Sequence, residues 1–226
     1  MKGKSWIYSI LQMAVIVFLM SCAGVQVDET AIVRERMLRE NTSEVFFPVG
    51  YEDFHEDKSI NYLLNRLHSY GYALMEDMVD AGIKITDFQS VLKVMDDLSV
   101  KAEAEGRHMN AAMYIRAIEF YTGWDDPEKT SLYERFVKQF YMAVEKDAFE
   151  INDVKYGMGN LATLKVGSEE KNTKGTIIMH AGYDGFKEEL YPAMRYLASH
   201  GYDVIGFDVP WMGRSKELSD ESFSYE

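Results

Sequence analysis

The chain has 226 residues, 47% hydrophobic and 27% charged, an ordinary globular composition with room for one or two domains. Its formal charge of −13 argues against a surface that tracks phosphates, because nucleic-acid binders recruit Lys and Arg to release counterions, and no nucleic-acid partner is expected. Four prolines and no biased runs exclude collagen-like, Pro-rich and low-complexity architectures.

Residues 1–22 read as an export signal. Lys2 and Lys4 make a basic start, and Trp6 to Met20 form a largely apolar stretch broken by Ser9 and Gln12. That stretch falls short of the roughly 20 apolar residues that a membrane-spanning helix needs. It ends in Leu19-Met20-Ser21-Cys22, which resembles the Leu-x-small-Cys close of bacterial lipoprotein signals. The resemblance implies lipidation of Cys22 and an exported protein anchored to a membrane of the cell envelope or periplasm. Loss of Lys2 and Lys4 with the leader would take the formal charge from −13 to −15. Cys22 is the only cysteine, so no disulfide can form within the chain. Residues 23–52 mix charges with scattered apolar positions and read as a tether, with one helix around Ile32 to Arg39.

Residues 53–147 read as an all-helical domain. Ile60, Leu63, Leu67, Leu74 and Met78 keep to one helix face with an irregularity near Gly71, and Gly82 fits a helix end. Thr86 and Gln89 have capping-box spacing ahead of Phe88, Val91, Leu92, Met95 and Leu98. Ala111, Tyr114, Ile115 and Ile118 predict a third helix ending near Gly123. Asp126-Pro127 starts a fourth that carries Leu132, Phe136, Phe140 and Val144 at i, i+4 steps.

The period changes at Phe149. Val154, Tyr156 and Met158 alternate with polar or Gly positions, Gly157 to Asn160 supplies turn chemistry, and Leu161 to Val166 reads as a returning strand. Thr176 to His180 predicts a buried strand. Phe186, Leu190, Met194 and Leu197 mark a helix that ends by Gly201, and Tyr202 to Asp208 predicts another strand. Strand, helix and strand in this order describe a βαβ unit of a mainly parallel sheet.

His180-Ala181-Gly182-Tyr183-Asp184-Gly185 resembles the His-Gly-Gly-x-Asp-Ser/Gly loop of α/β-hydrolases that carry a helical N-terminal domain, a group that includes the fermentation-respiration-switch esterases and pseudooxynicotine hydrolases. The resemblance continues through Glu188-Glu189-Leu190-Tyr191-Pro192 and Ala198-x-x-Gly201-Tyr202-Asp203-Val204. It ends with Phe207-Asp208-x-Pro210-x-x-Gly213, where the family reads Phe-Asp/Glu-Gly-Pro-Gly-x-Gly, and in all it spans about residues 55–215. It implies an α/β fold in which residues 148–226 form the N-terminal part of a hydrolase core, with a small-molecule substrate for the complete protein and no cofactor. It also places an oxyanion donor at Gly182 or Tyr183, because backbone N–H groups after the third strand can point at a developing oxyanion. His180 comes too early in the chain to be the base.

The sequence departs from that pattern in three places. Ala181 stands where the family has its first Gly, Val209 and Trp211 replace two further glycines, and no Gly-x-Ser-x-Gly nucleophile elbow occurs anywhere. Ser215 lacks the second Gly and the strand-to-helix setting of a nucleophile, and Asp208 without a Ser and a His makes no triad. The expectation is therefore a hydrolase core cut short, inactive alone and a serine hydrolase of an ester, amide or activated C–C bond when complete. The alternative is a non-catalytic, membrane-anchored lipoprotein that binds a partner. No His/Cys/Asp cluster has metal-ligand spacing, so no metal is expected.

Overall fold

The computed structural model describes residues 51–218 apart from 70, 145–147, 158 and 183. The leader with Cys22, residues 23–50 of the tether with the helix expected at Ile32 to Arg39, and Tyr183 lie outside the described residues.

Five helices come first. In α1 (Lys58–Ser69) the Asp57 carboxylate accepts from the Ser59 N–H at 2.8 Å and the Ile60 N–H at 3.2 Å, which caps the helix start. The single helix expected from Ile60 to Gly82 is in fact two. Gly71, at φ 72°, breaks the chain between α1 and α2 (Met75–Lys84). Gly82 lies inside α2 and does not end it. A Cβ there would sit 2.0 Å from the Phe54 carbonyl oxygen, so glycine is required by the close passage of residues 51–55. The cap of α3 (Phe88–Ala104) lies one residue beyond the expected Thr86 and Gln89. Asp87 accepts from the Ser90 N–H at 2.8 Å, and Ser90 Oγ accepts from the Asp87 N–H at 3.0 Å. Asp is the stronger N-cap residue, and Ser90 closes the box in place of a Glu or Gln. Bonds from the Ser90 backbone N–H and side-chain hydroxyl hold the Asp87 carboxyl below its usual range.

Helix α4 (His108–Tyr121) is the centre of the module, buried on all sides from Asn110 to Glu119. Its neighbours supply polar partners inside. Asp77 accepts from Lys101 at 2.8 Å, Arg107 at 2.9 Å and the Tyr114 hydroxyl at 3.0 Å. Helix α5 (Glu128–Ala143) opens with Asp126 accepting from the Glu128 N–H at 2.8 Å, while Pro127 takes the cap position.

Four strands follow: β1 (Glu150–Tyr156), β2 (Gly159–Val166), β3 (Gly175–His180) and β4 (Tyr202–Phe207). Their spatial order is β1-β2-β4-β3. The β1/β2 hairpin pairs Glu150 with Lys165 and Tyr156 with Gly159, and β2 and β4 are also antiparallel. The remaining pairing, β3 with β4, is parallel and sets Gly175 beside Tyr202 and His180 beside Phe207. A 3-10 turn (Lys187–Leu190) and α6 (Tyr191–Ser199) join these two strands, and a short α7 (Ser215–Leu218) follows β4. Because β3 and β4 are parallel neighbours, the loops after them leave the same end of the sheet. The fold is thus an all-helical domain followed by the early strands of an α/β core.

Aromatic side chains join the two parts. Phe186, just before the 3-10 turn, stacks on Phe136 at 5.9 Å and meets Tyr133 edge-on at 4.8 Å, and Phe140 meets Tyr191 edge-on at 5.5 Å.

Candidate active site where β3 meets the helical domain

At the end of β3, His180 is exposed and its Nδ1 lies 2.6 Å from the Ala181 carbonyl, to which it donates. That bond occupies a ring nitrogen locally. Residues 181–185 then turn tightly, with the Gly185 N–H donating to the Gly182 carbonyl at 3.1 Å. The Ala181 methyl fits because position 185 is glycine, since a Cβ added there would stand 2.6 Å from it. A Cβ added at Gly182 would meet nothing within 4 Å. Among the described residues, no group accepts a hydrogen bond from the Gly182 N–H.

The loop is held from outside the sheet. Arg116, on buried α4, donates through Nη2 to the Asp184 carbonyl, through Nη1 to Glu119 and through Nε to Glu189 at 2.8 Å. Its guanidinium lies 4.5 Å over the Phe186 ring. The planar fork of Arg can serve these three acceptors at once, which a Lys cannot. Glu189 also accepts from the Phe186 N–H at 2.9 Å, so one ion pair fixes the start of the 3-10 turn.

A cavity of about 660 Å³ lies between this loop and the helical domain. Ala181, Gly182, Asp184 and Gly185 form one side, and Leu63, Arg66, Met113, Arg116 and Phe120 of α1 and α4 stand among the residues of the other. Its volume suits a small organic molecule. Four of the loop residues picked out in the sequence therefore share one wall, while His180 is not among the lining residues.

Behind the wall sits a buried ionic cluster. Lys187 Nζ donates to Asp208 at 2.8 Å and to Glu188 at 2.7 Å, and the Lys187 N–H donates to Asp208 at 2.8 Å. The Tyr141 hydroxyl donates to Glu188 at 2.8 Å. All three charged side chains are about 99% buried or more. Two carboxylates share one ammonium. Burial and Glu188 push the Asp208 carboxyl up to about 6 against the opposing pull of Lys187, and the two carboxylates hold Lys187 above its ordinary value against desolvation. Glu188 Oε2 has no hydrogen-bond partner among the described residues.

The loop after β4 closes around this cluster. A Cβ at Gly213, which has φ 47°, would stand 2.5 Å from Asp208 Oδ2, so both backbone and space require glycine. Trp211 takes φ 60° at one of the positions where the resembling family has glycine, and its ring packs against Trp124 at 5.8 Å. Ser215 is fully buried. Its Oγ accepts from the Ala162 N–H at 2.8 Å and donates to the Asp208 carbonyl at 2.9 Å, which makes it a tie between β2 and the β4 loop. Neither Asp208 nor Ser215 faces a histidine in these bonds. Among the described residues no group of His, Cys, Asp and Glu could hold a metal ion.

Sequence reading did not single out Arg116 or Lys187. Arg116 sits at a helix position that periodicity assigns to packing, and its carboxylate partner Glu189 is 73 residues away. Lys187 looks like an ordinary loop charge until β4 brings Asp208 to it.

The fold is an all-helical domain followed by the strands of an α/β core, with the loop after β3 facing the helices. Among solved structures the chain is similar to AbyA5 wild type, with a TM-score of 0.55 and 17% identity over 73% of this chain and 48% of that one. It is also similar to 2,6-dihydroxy-pseudo-oxynicotine hydrolase, with a TM-score of 0.45 and 17% identity over 69% of this chain and 47% of that one. This chain spans about half the length of those proteins. No family model and no curated protein matches it.

Proposed function

We propose that this protein, in its complete form, is a serine hydrolase that cleaves an ester, amide or activated C–C bond in a small-molecule substrate. In this reading the chain supplies the oxyanion loop and the helical wall of the substrate site, and the nucleophile and base of the complete protein come from outside the 226 residues given. The observation that carries it is the cavity of about 660 Å³ closed on one side by Gly182 and on the other by α1 and α4. Hydrolysis at a carbonyl builds negative charge on oxygen. Backbone N–H groups fixed in advance and shielded from water stabilise that charge at little reorganisation cost, and Gly182 and Tyr183 are the donors proposed here. Arg116 acts as a positioning residue, because it holds the Asp184 carbonyl and leaves the loop little freedom to relax. Lipidation at Cys22 is proposed to anchor the exported protein to a membrane, and several acyl chains would hold it firmly where one would not.

The test compares the 226-residue chain with a form extended through the downstream reading frame, using a nitrophenyl ester and a serine-reactive fluorophosphonate. The extended form is expected to hydrolyse the ester and take the label, and the 226-residue chain to do neither. Specific labelling of the short chain, or no labelling of the long one, would refute the reading. For the anchor, Cys22→Ala is expected to release the protein from the membrane fraction, and unchanged membrane association would count against lipidation.

A further inference from the structure

The charges around the cavity do not resemble those of the rest of the protein. The whole chain carries a formal charge of −13, yet Lys58, Arg66 and Arg116 face the cavity against two carboxylates, Asp184 and Glu189. These cations are not equally committed. Arg116 is spent on Glu119, Glu189 and the Asp184 carbonyl. Arg66 has a single side-chain bond among the described residues, a long 3.3 Å contact from Nη2 to Glu189, and its side chain is 37% exposed. Most of its guanidinium donors therefore remain for a ligand. Lys58, at the exposed start of the same helix, has no ion pair among the described residues. Between these charges the wall is apolar, with Leu63, Leu67, Met113, Ala117, Phe120 and Leu190 contributing.

From this arrangement we infer that the cavity selects a small amphipathic carboxylate, whose apolar body lies against α1 and α4 and whose acid group is read by Arg66 with support from Lys58. This rests on the reading of the cavity as the substrate site and adds the class of substrate. A planar guanidinium with two donors side by side matches the two oxygens of a carboxylate, and partial burial protects the pair from screening. A neutral isostere of the same shape keeps the apolar contact but leaves the Arg66 donors unmatched. Specificity then follows from the difference between the two.

The experiment is a calorimetric titration of the 226-residue chain with 4-phenylbutyrate and with its carboxamide. The acid is expected to bind about tenfold more tightly than the amide, the scale of one hydrogen-bonded charge pair that is partly open to water. Arg66→Gln should remove that preference and leave amide binding unchanged, and Arg66→Lys should keep part of it. Gly182→Trp, which fills open space at the cavity wall, should abolish binding of both probes. Equal binding of acid and amide, binding of neither, an unchanged preference in Arg66→Gln, or unchanged binding in Gly182→Trp would each overturn the inference. These outcomes are separate from the hydrolase reading. A preference for the acid in this chain would survive a completed protein that fails to label with fluorophosphonate, and a labelled completed protein would survive the loss of the preference.

Discussion

The helical domain and the sheet end that faces it use apolar packing and charge in different proportion, for the helical domain buries an ionic group, Asp77 with Lys101 and Arg107, within a largely apolar core. In the helical domain α4 is wrapped by apolar neighbours, and Phe136, Phe140, Ile115 and Met78 have essentially no exposed surface. At the end of β3 and β4 the chain is fixed by charges, with Arg116 on the loop and Lys187 between two carboxylates. Apolar packing is tolerant of direction, so it can build a stable wall but sets a loop position loosely. Ion pairs and hydrogen bonds are directional, and in a water-poor interior they fix geometry at a desolvation cost.

The sharpest way to break this comparison is to damage each side alone. Phe136→Ala leaves a cavity beside Phe140 and Phe186 and is expected to lower stability by about 4 kcal/mol in urea unfolding, with no partner change able to restore it. Lys187→Met strands two buried carboxylates and is expected to cost about 3 kcal/mol. Here a second change should help, and adding Asp208→Asn is expected to recover part of the loss because one uncompensated charge goes with it. A double variant as unstable as the sum of its parts would contradict the shared-charge description.

A smaller effect distinguishes the cluster by pH. The Asp208 carboxyl is raised to about 6 from 3.8, first by burial and then by Glu188, so the folded protein holds a proton that the unfolded chain releases in that interval. Asp208 therefore contributes stability that is present below the lower value and lost as pH rises through about 6. Urea midpoints measured at intervals from pH 4 to 7 should show this loss in the parent and not in Asp208→Asn. The same slope in both proteins would assign it to other groups. The smallest effect is on the solvated face of α3, where Lys93 pairs with Asp97 at 2.7 Å with both side chains mostly exposed. Lys93→Ala is expected to leave the melting midpoint unchanged within error, because exposed pairs are screened and lose side-chain entropy.

This contrast also explains how much was legible in the sequence. Helical periodicity located α3 and α5, and the change of period with its turn signals located the strands around Leu164 and Val204. It merged α1 with α2, since Leu67 and Met78 are buried, Leu74 is half-buried, and nothing in their spacing requires the turn at Gly71. Gly82 read as a helix end for want of any sign that Phe54 passes over it. The loop from Ala181 to Gly185 was visible through its resemblance to a motif, whereas the residues that fix it were not. Arg116 to Asp184 and Lys187 to Asp208 are contacts between distant positions, set by how α4 and β4 pack, and a single sequence carries no local trace of them. The glycine pattern did carry information. Trp211 stands where glycine is usual in the resembling segment, and the backbone there is left-handed at φ 60°.

The central claim is that Gly182 faces the reacting carbonyl from one wall of the cavity and α1 and α4 enclose the substrate from the other. The most direct measurement is a crystal structure of the extended protein after reaction with an alkyl fluorophosphonate, which leaves a tetrahedral phosphonyl group on the nucleophile. The account predicts the phosphonyl oxygen within hydrogen-bond distance of the Gly182 or Tyr183 N–H and the alkyl chain against Leu63 and Met113. An adduct whose oxygen is held by other donors, or whose alkyl chain lies outside that cavity, would contradict it.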